Sequence, residues 1–181
     1  MALRTIRNYG DPILRKKARP VQNVDQLILR ILDDMAETMY AALGLGLAAP
    51  QVGITKRLCV VDVGDGLLKL INPKIKSASG NEIGAEGCLS FPHVYGDVNR
   101  FQKVVVKALD PRGKPIRIEA EGLLARAIQH ELDHLDGKLF VDSAADLREV
   151  LPQEKADGDE EKEPRAIPLT LEDLKGKFVS S

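Results

Sequence analysis

Two of the three histidines in this chain stand four residues apart with a glutamate between them, in Gln129-His130-Glu131-Leu132-Asp133-His134. On a helix the two imidazoles lie about 40° apart around the axis and can meet one ion. Glu131 sits about 60° from His134, close enough to reach a metal-held water without being a ligand itself. This is the HExxH arrangement of metallohydrolases. It constrains the fold strongly, because the chain must bury a helix face that carries charge and deliver a further donor to it from elsewhere. Ala127, beside the pair on that face, is small and leaves room.

A histidine pair at this spacing also occurs on solvated helix faces. Against that reading, the chain holds only three histidines in 181 residues and two of them fall here. Two histidines do not close a catalytic site, which uses three protein ligands and keeps one position open. The candidates for the third are Cys88, Glu86, Asp62 and His93. Cys88 is favoured for its setting, Glu86-Gly87-Cys88-Leu89-Ser90, where a glycine lets the backbone approach closely. Alone, Cys88 would read equally well as a small buried hydrophobe; a two-histidine site lacking a ligand tips the reading to the thiolate. Cys59, among Leu58, Val60 and Val61, reads as core, and His93 as a loop residue. Glu86 and Arg100 read as a pair bracing the Cys88 loop. Two cysteines make no disulfide framework and suit a reducing compartment.

The rest of the chain fits around that helix. Residues 1–24 mix Gly10, Pro12 and Pro20 with basic residues and read as an irregular leader lying on the body. A long helix is expected over 25–43, with Leu27, Ile31, Met35 and Met39 every four residues, Ile28 and Leu32 widening the stripe, Asn23 or Asp25 capping its start and Gly44 closing it. Branched residues predict strands over 57–63, 69–71, 74–78, 102–109 and 116–120. Asp110-Pro111-Arg112-Gly113 has type I turn chemistry and joins the last two as a hairpin. The histidine helix is expected over 121–135, with Gly137 just past its end. The order of elements gives an α+β fold: short antiparallel sheets packed around a central helix carrying HExxH, plus a long N-terminal helix. Residues 1–151 are expected to form a single catalytic domain. Residues 152–166, rich in acid, read as a flexible linker, and 167–181 as a short C-terminal segment with a helix capped by Thr170.

The segment Gly44-Leu45-Gly46-Leu47-Ala48-Ala49-Pro50-Gln51 formally matches a dinucleotide fingerprint. That fingerprint must follow a strand and open a helix, whereas this one follows a helix and runs into a proline. The remaining reading is a tight loop whose backbone comes close to a ligand, with Gln51 as an amide donor.

Together, GLGLAAPQ at 44–51, EGCLS at 86–90 and QHELDH at 129–134 resemble the three signature motifs of peptide deformylases, in the same order, and the resemblance covers about residues 6–141. It implies a metal-dependent amide hydrolase that takes the formyl group from the N-terminal formyl-methionine of newly made proteins and releases formate. By motif match, Cys88, His130 and His134 would hold one divalent metal ion. Iron(II) is the family's usual metal, and zinc, nickel or cobalt can occupy the same donors. A metal-bound water would attack the formyl carbon with Glu131 as general base and then acid, while Gln51 and the Leu89 N–H face the oxyanion. Thiolate is a strong donor that weakens the ion as a Lewis acid, so Glu131 matters more. The loop at Gly44 and Gly46 would flank an extended peptide, and Leu123 and Ala127, with His130, would line the methionine pocket.

Charge and hydropathy agree with such a protein. Lys plus Arg total 26 against 27 for Asp plus Glu, which argues against a dedicated nucleic-acid binder. No apolar run approaches ~18 residues, and the N-terminus lacks the apolar core of a secretory signal, so no membrane partner is expected and the cytoplasm is the default. The substrates imply transient proximity to ribosomes. The acidic stretch after Pro152 would repel ribosomal RNA, so direct docking on nucleic acid is not carried over. The competing readings are an HExxH peptidase cutting internal bonds, against which the cysteine and the residue 44–51 loop stand, and a non-catalytic metal or peptide binder.

Overall fold

The computed structural model describes residues 2–151 and 164–179. The first long helix, α1, spans Gln26–Ala41; the Asp25 side chain accepts a hydrogen bond from the Ile28 N–H at 2.9 Å and caps it. Its buried stripe is Ile28, Ile31, Leu32, Met35, Ala36 and Met39. Leu27, expected in that stripe, is 59% exposed, because the face turns with the true 3.6-residue period. The closing residue also differs from expectation. Leu43, at φ 55°, is the left-handed residue, and Gly44 follows it, donating its N–H to Met39 O.

Among the described residues, nine strands form two antiparallel sheets. The first runs β1 (Gly46–Ala48), β2 (Leu58–Val61), β3 (Leu68–Ser79), β6 (Lys103–Leu109) and β7 (Pro115–Glu121) in spatial order. The second runs β4 (Glu82–Cys88), β5 (Phe91–Arg100), β8 (Ala145–Leu151) and β9 (Arg165–Pro168). The expected hairpin is β6–β7, with Leu109 opposite Pro115. The two short strands expected over 69–71 and 74–78 are one strand, β3, kept continuous through an irregularity at Asn72 and Pro73. Asn72 takes φ 53° there, and its side chain bonds both the N–H and the C=O of Val21. Strands β1, β4, β5, β8 and β9 were not expected; their glycines, charges and Pro92 give weak β signals.

The histidine helix, α2, spans Gly122–Leu135. Strand β2 separates two apolar layers by its period of two: Cys59 and Val61 pack towards α2 with Ala125, Ile128, Leu132 and Leu135, while Leu58 and Val60 pack towards α1 with Leu32, Met35 and Met39. Cys59 is therefore core, as its neighbours imply. Burying each of the larger aliphatic side chains among these contributes about 1.5–3 kcal/mol. A third layer, Phe91, Val94, Val98, Leu147 and Phe140, lines the second sheet. The leader is stitched to the body by backbone bonds from Arg7 N to Gln51 O, 2.7 Å, and from Tyr9 N to Ser90 O, 2.9 Å.

The acidic stretch 152–163, read as most of the linker, lies outside the described residues. Arg165 and Ala166, placed by that reading at its end, instead belong to β9, which pairs with β8 from Leu151↔Arg165 to Arg148↔Pro168. A last helix, α3, spans Leu171–Val179, and its Leu174 is fully buried with Phe91 and Val94.

α2 ends with Gly137 at φ 72°, its N–H on His134 O and the next N–H, of Lys138, on Asp133 O. A Cβ on Gly137 would overlap the carbonyl of Arg15, so an alanine there suffers both backbone strain and a clash. Gly137→Ala is expected to cost about 1–3 kcal/mol, read as a lower urea midpoint at unchanged slope. A wild-type midpoint would contradict this account of the helix end.

Candidate metal centre

α2 presents His130 and His134 one turn apart, with ring centroids 5.0 Å from each other. Cys88 arrives from the end of β4, where the register with β5 shifts and the Leu89–Ser90 turn begins. One donor atom from each of Cys88, His130 and His134 lies within 4.8 Å of the others, and Cys88 Sγ stands 3.3 Å from His134 Nε2. Among the four candidates for the third ligand, the fold brings in Cys88 and turns Glu86 to a different task.

Glu86 is buried and accepts from three side chains. Its Oε2 lies 2.9 Å from His130 Nδ1, which leaves His130 Nε2 for the site. Arg100 donates from Nε and Nη2 at 2.8 and 2.9 Å, and Arg126 from Nη1 at 2.9 Å. The pairing of Glu86 with Arg100 read from the sequence is present, and Arg100 Nη1 also reaches Asp133 Oδ2 at 2.5 Å. Burial pushes the Glu86 carboxyl up, but the hydrogen bonds from Arg100 and His130 outweigh it and hold the group at about 2. A carboxylate behind a histidine fixes its tautomer and ring orientation, as in many metal sites.

Arg126 is a residue the sequence reading left without a role. Besides Glu86 it donates to the carbonyls of Glu82, Gly84 and Val98, so it clamps β4 and β5 to α2. Its position four residues before His130, on the same helix face, is the signal that could have found it. Ser90 is the other such residue; its Oγ accepts from Gln51 Nε2 at 3.2 Å.

Gln51 is fixed at both ends of its amide. Oε1 accepts from the Ala48 N–H at 2.8 Å, so Nε2 turns towards Ser90 and Cys88 Sγ, 3.4 Å away. Gly44 and Gly46 flank this centre for want of space. A Cβ on Gly44 would come within 2.7 Å of Leu89 Cδ1, and one on Gly46 would overlap the Glu131 carboxylate. Leu123 and Ala127 share α2 with the ligands, seven and three residues before His130. Leu123 is half exposed, and Ala127 packs against the apolar layer under the first sheet. Their place in a substrate pocket rests on helix spacing alone.

Three observations test the donor set against a metal ion. Burial holds His134 well below its ordinary range, so its nitrogen is a free lone pair rather than a cation. Burial would lower His130 too, yet the Cys88 sulfur and Glu86 override it and keep a positive charge drawn to that position. Sulfur with two imidazoles is the donor chemistry of borderline divalent ions. The residues fit such an ion. Beside them, burial pushes the Glu131 carboxyl up to about 7, and its Oε2 has no hydrogen-bond partner among the described residues.

The polypeptide deformylase family model matches residues 3–150. The chain is 54% identical over 154 residues to a peptide deformylase of Pelotomaculum thermopropionicum, covering 85% of this chain and 99% of that one. It is 55% identical over 161 residues to one of Caldicellulosiruptor bescii, covering 88% and 97%. Among solved structures, the peptide deformylase of Thermotoga maritima superposes with a TM-score of 0.79 at 44% identity, covering 80% of this chain and 99% of that one. That of Synechococcus elongatus in complex with actinonin superposes with a TM-score of 0.76 at 49% identity, covering 78% and 79%.

Arg100→Ala is expected to weaken metal binding by about 10–100-fold, measured by competition with a chelator; wild-type affinity would remove Arg100 from the support of the site. Glu86 gives a pH test. Its carboxyl titrates at about 2 when folded against an ordinary 4.5. A depressed carboxyl adds stability that is fully present above its unfolded value and lost as pH falls towards the folded one. The stability gap between wild type and Glu86→Gln should therefore be flat from neutral pH down to about 4.5 and close between there and about 2. A gap independent of pH would mean that the charge of Glu86 contributes nothing.

Proposed function

The chain belongs to the polypeptide deformylase family, and on that premise we propose that Cys88, His130, His134, Glu131, Gln51 and Leu89 carry out its reaction. The enzyme is a hydrolase that removes formyl groups from nascent peptides. What supports the residue assignment is one observation above all: three donor atoms within 4.8 Å of one another, with a buried carboxylate one residue from the first histidine.

Cys88, His130 and His134 would hold a divalent ion, which would supply a Lewis acid and lower the pKa of water from 15.7 towards about 7. Iron(II) is the proposed ion; zinc, nickel and cobalt suit the same donors. Glu131 is the base that takes the proton of the attacking water and later gives it to the departing amine nitrogen. Its elevated carboxyl, at about 7, lets it do both near neutral pH. Gln51 Nε2 and the Leu89 backbone N–H face the oxygen on which negative charge develops. Ala48 and Ser90 hold the Gln51 amide in place before substrate arrives, so the only change needed is that the N–H turned to Cys88 Sγ passes to the developing oxyanion.

The two sheets each offer an edge beside this centre, β1 in the first and β4 in the second. An extended formyl peptide fits as an added strand against these edges, its main chain supplying affinity and its methionine side chain entering an apolar pocket at Leu123 and Ala127. Gly44 and Gly46 keep the rim low enough for that approach. The substrates place the enzyme close to ribosomes in time. No helix among the described residues is long and apolar enough to cross a membrane.

Formate release from a formyl-Met tripeptide, with protein prepared without oxygen and an acetyl-Met peptide as control, is expected for the formyl peptide alone. Full metal content with no release would assign the site to another substrate. Glu131→Gln should abolish turnover and keep the metal. Gln51→Ala should lose about 10²–10³ in kcat, also with the metal kept. Wild-type turnover in either variant would take that residue out of the mechanism.

A further inference from the structure

A solvent-open cleft of about 490 Å3 lies on a second face of α2, within the ~300–1,000 Å3 range of small-molecule sites. Gln129, Leu132, Asp133 and Asp136 recur at helical spacing along that face, whereas His130 and His134 stand on another. Its apolar lining is Ile75, Phe101 and Leu132, and Phe101 is 46% exposed there.

The charge of the cleft is unbalanced. Arg57, Lys74 and Arg100 face Asp133 and Asp136, which leaves one positive charge. Arg57 is spent on Asp136 and Arg100 on Asp133. Lys74 has no ion-pair partner among the described residues, and it lies directly opposite Lys107 across β3 and β6, an arrangement that destabilises a sheet. Arg100, 9% exposed at its side chain, uses three of its five N–H donors on Glu86 and Asp133 among the described residues. The cleft thus offers spare donors and a surplus cation above an apolar floor.

Arg100 also joins this cleft to the metal centre. One edge of its guanidinium holds Asp133 on the cleft wall; the other holds Glu86, which holds His130. An anion entering the cleft competes with Asp133 for Arg100 and lets the guanidinium move against Glu86. We propose that the cleft is a second ligand site, taking a small organic monoanion with an apolar or aromatic body, and that Arg100 carries its occupancy to the metal centre. This goes beyond the deformylase reading, and its binding arm needs no turnover.

The probe is 4-phenylbutyrate, with the neutral 4-phenylbutanol as control. Amide NMR on the full-length zinc-loaded protein follows binding, and the visible band of the cobalt(II)-loaded protein follows the metal centre. Saturable shifts at the amides of Lys74, Asn81 and Phe101 are expected, with the cobalt band moving at the same midpoint. The neutral control and the Lys74→Glu variant should each bind about tenfold more weakly or worse. Lys74→Glu turns a like-charge pair with Lys107 into an opposite one, so it keeps the fold, and it leaves formate release without probe unchanged. No saturation up to about 10 mM, or binding indifferent to Lys74, overturns the site. Shifts centred on Gly46 and Leu89, or a cobalt response that survives Lys74→Glu, mean that the carboxylate sits on the metal itself and overturn it equally. Binding in the cleft with a silent cobalt band overturns the coupling through Arg100.

Discussion

The carboxylate of Glu86 is the charge around which this molecule is arranged. An isolated carboxylate at 6% exposure would be strongly disfavoured, and only close donors make it tolerable. Those donors come from two directions. Arg100 reaches it from the end of β5 in the second sheet, and Arg126 and His130 reach it from α2. Glu86 therefore ties α2 to the second sheet with bonds that are shorter and stronger than neutral ones. Losing one arginine leaves a buried charge short of a partner, so the position of His130, the pairing of β4 with β5 and the delivery of Cys88 stand or fall together.

The centre is assembled from segments far apart in the chain, and each is held by something other than the site. Gln51 sits in a 3-10 turn, Ala49–Val52, whose carbonyl end is bonded by the leader at Arg7. Ser90 is bonded by the leader at Tyr9. The leader, irregular as it is, fastens the two loops that bear the proposed oxyanion donors. Phe140 packs against His130 with ring centroids 6.0 Å apart and closes the centre from the third apolar layer. The Glu131 carboxylate lies close against Gly46, where any side chain would overlap it.

Much of this was readable from residue order. Asp25 before a run of apolar residues at helical spacing located α1, and Asp110-Pro111-Arg112-Gly113 located the β6–β7 hairpin. His130, His134 and Cys88 converge as the spacing and the flanking glycine suggested. What stayed hidden was set by tertiary contact. Strands β4 and β5 carry few branched residues in their first halves; they pair with each other from Glu82↔Arg100 to Cys88↔Phe91, and Arg126 bonds carbonyls of both. Leu27 is apolar but falls off the buried face by a fraction of a turn. Leu43 takes the left-handed position that glycine usually occupies, and the glycine after it lies against the Leu89 side chain. The role of Arg126 depends on carbonyls more than 25 residues distant in the chain, which no local pattern records.

The C-terminal helix lies beyond the segment that the family model matches. The family model stops at residue 150, yet Leu174 is as deeply buried as any of the described residues, and Phe178 meets both Tyr9 and Phe91 edge-on. Phe91 in turn meets Phe140, the ring that lies against His130. A chain truncated at residue 150 would lose the keystone of an aromatic arch that leans on His130. The family model ends at one place and the packing at another, and it is the second that a purification tag or a shortened clone has to respect.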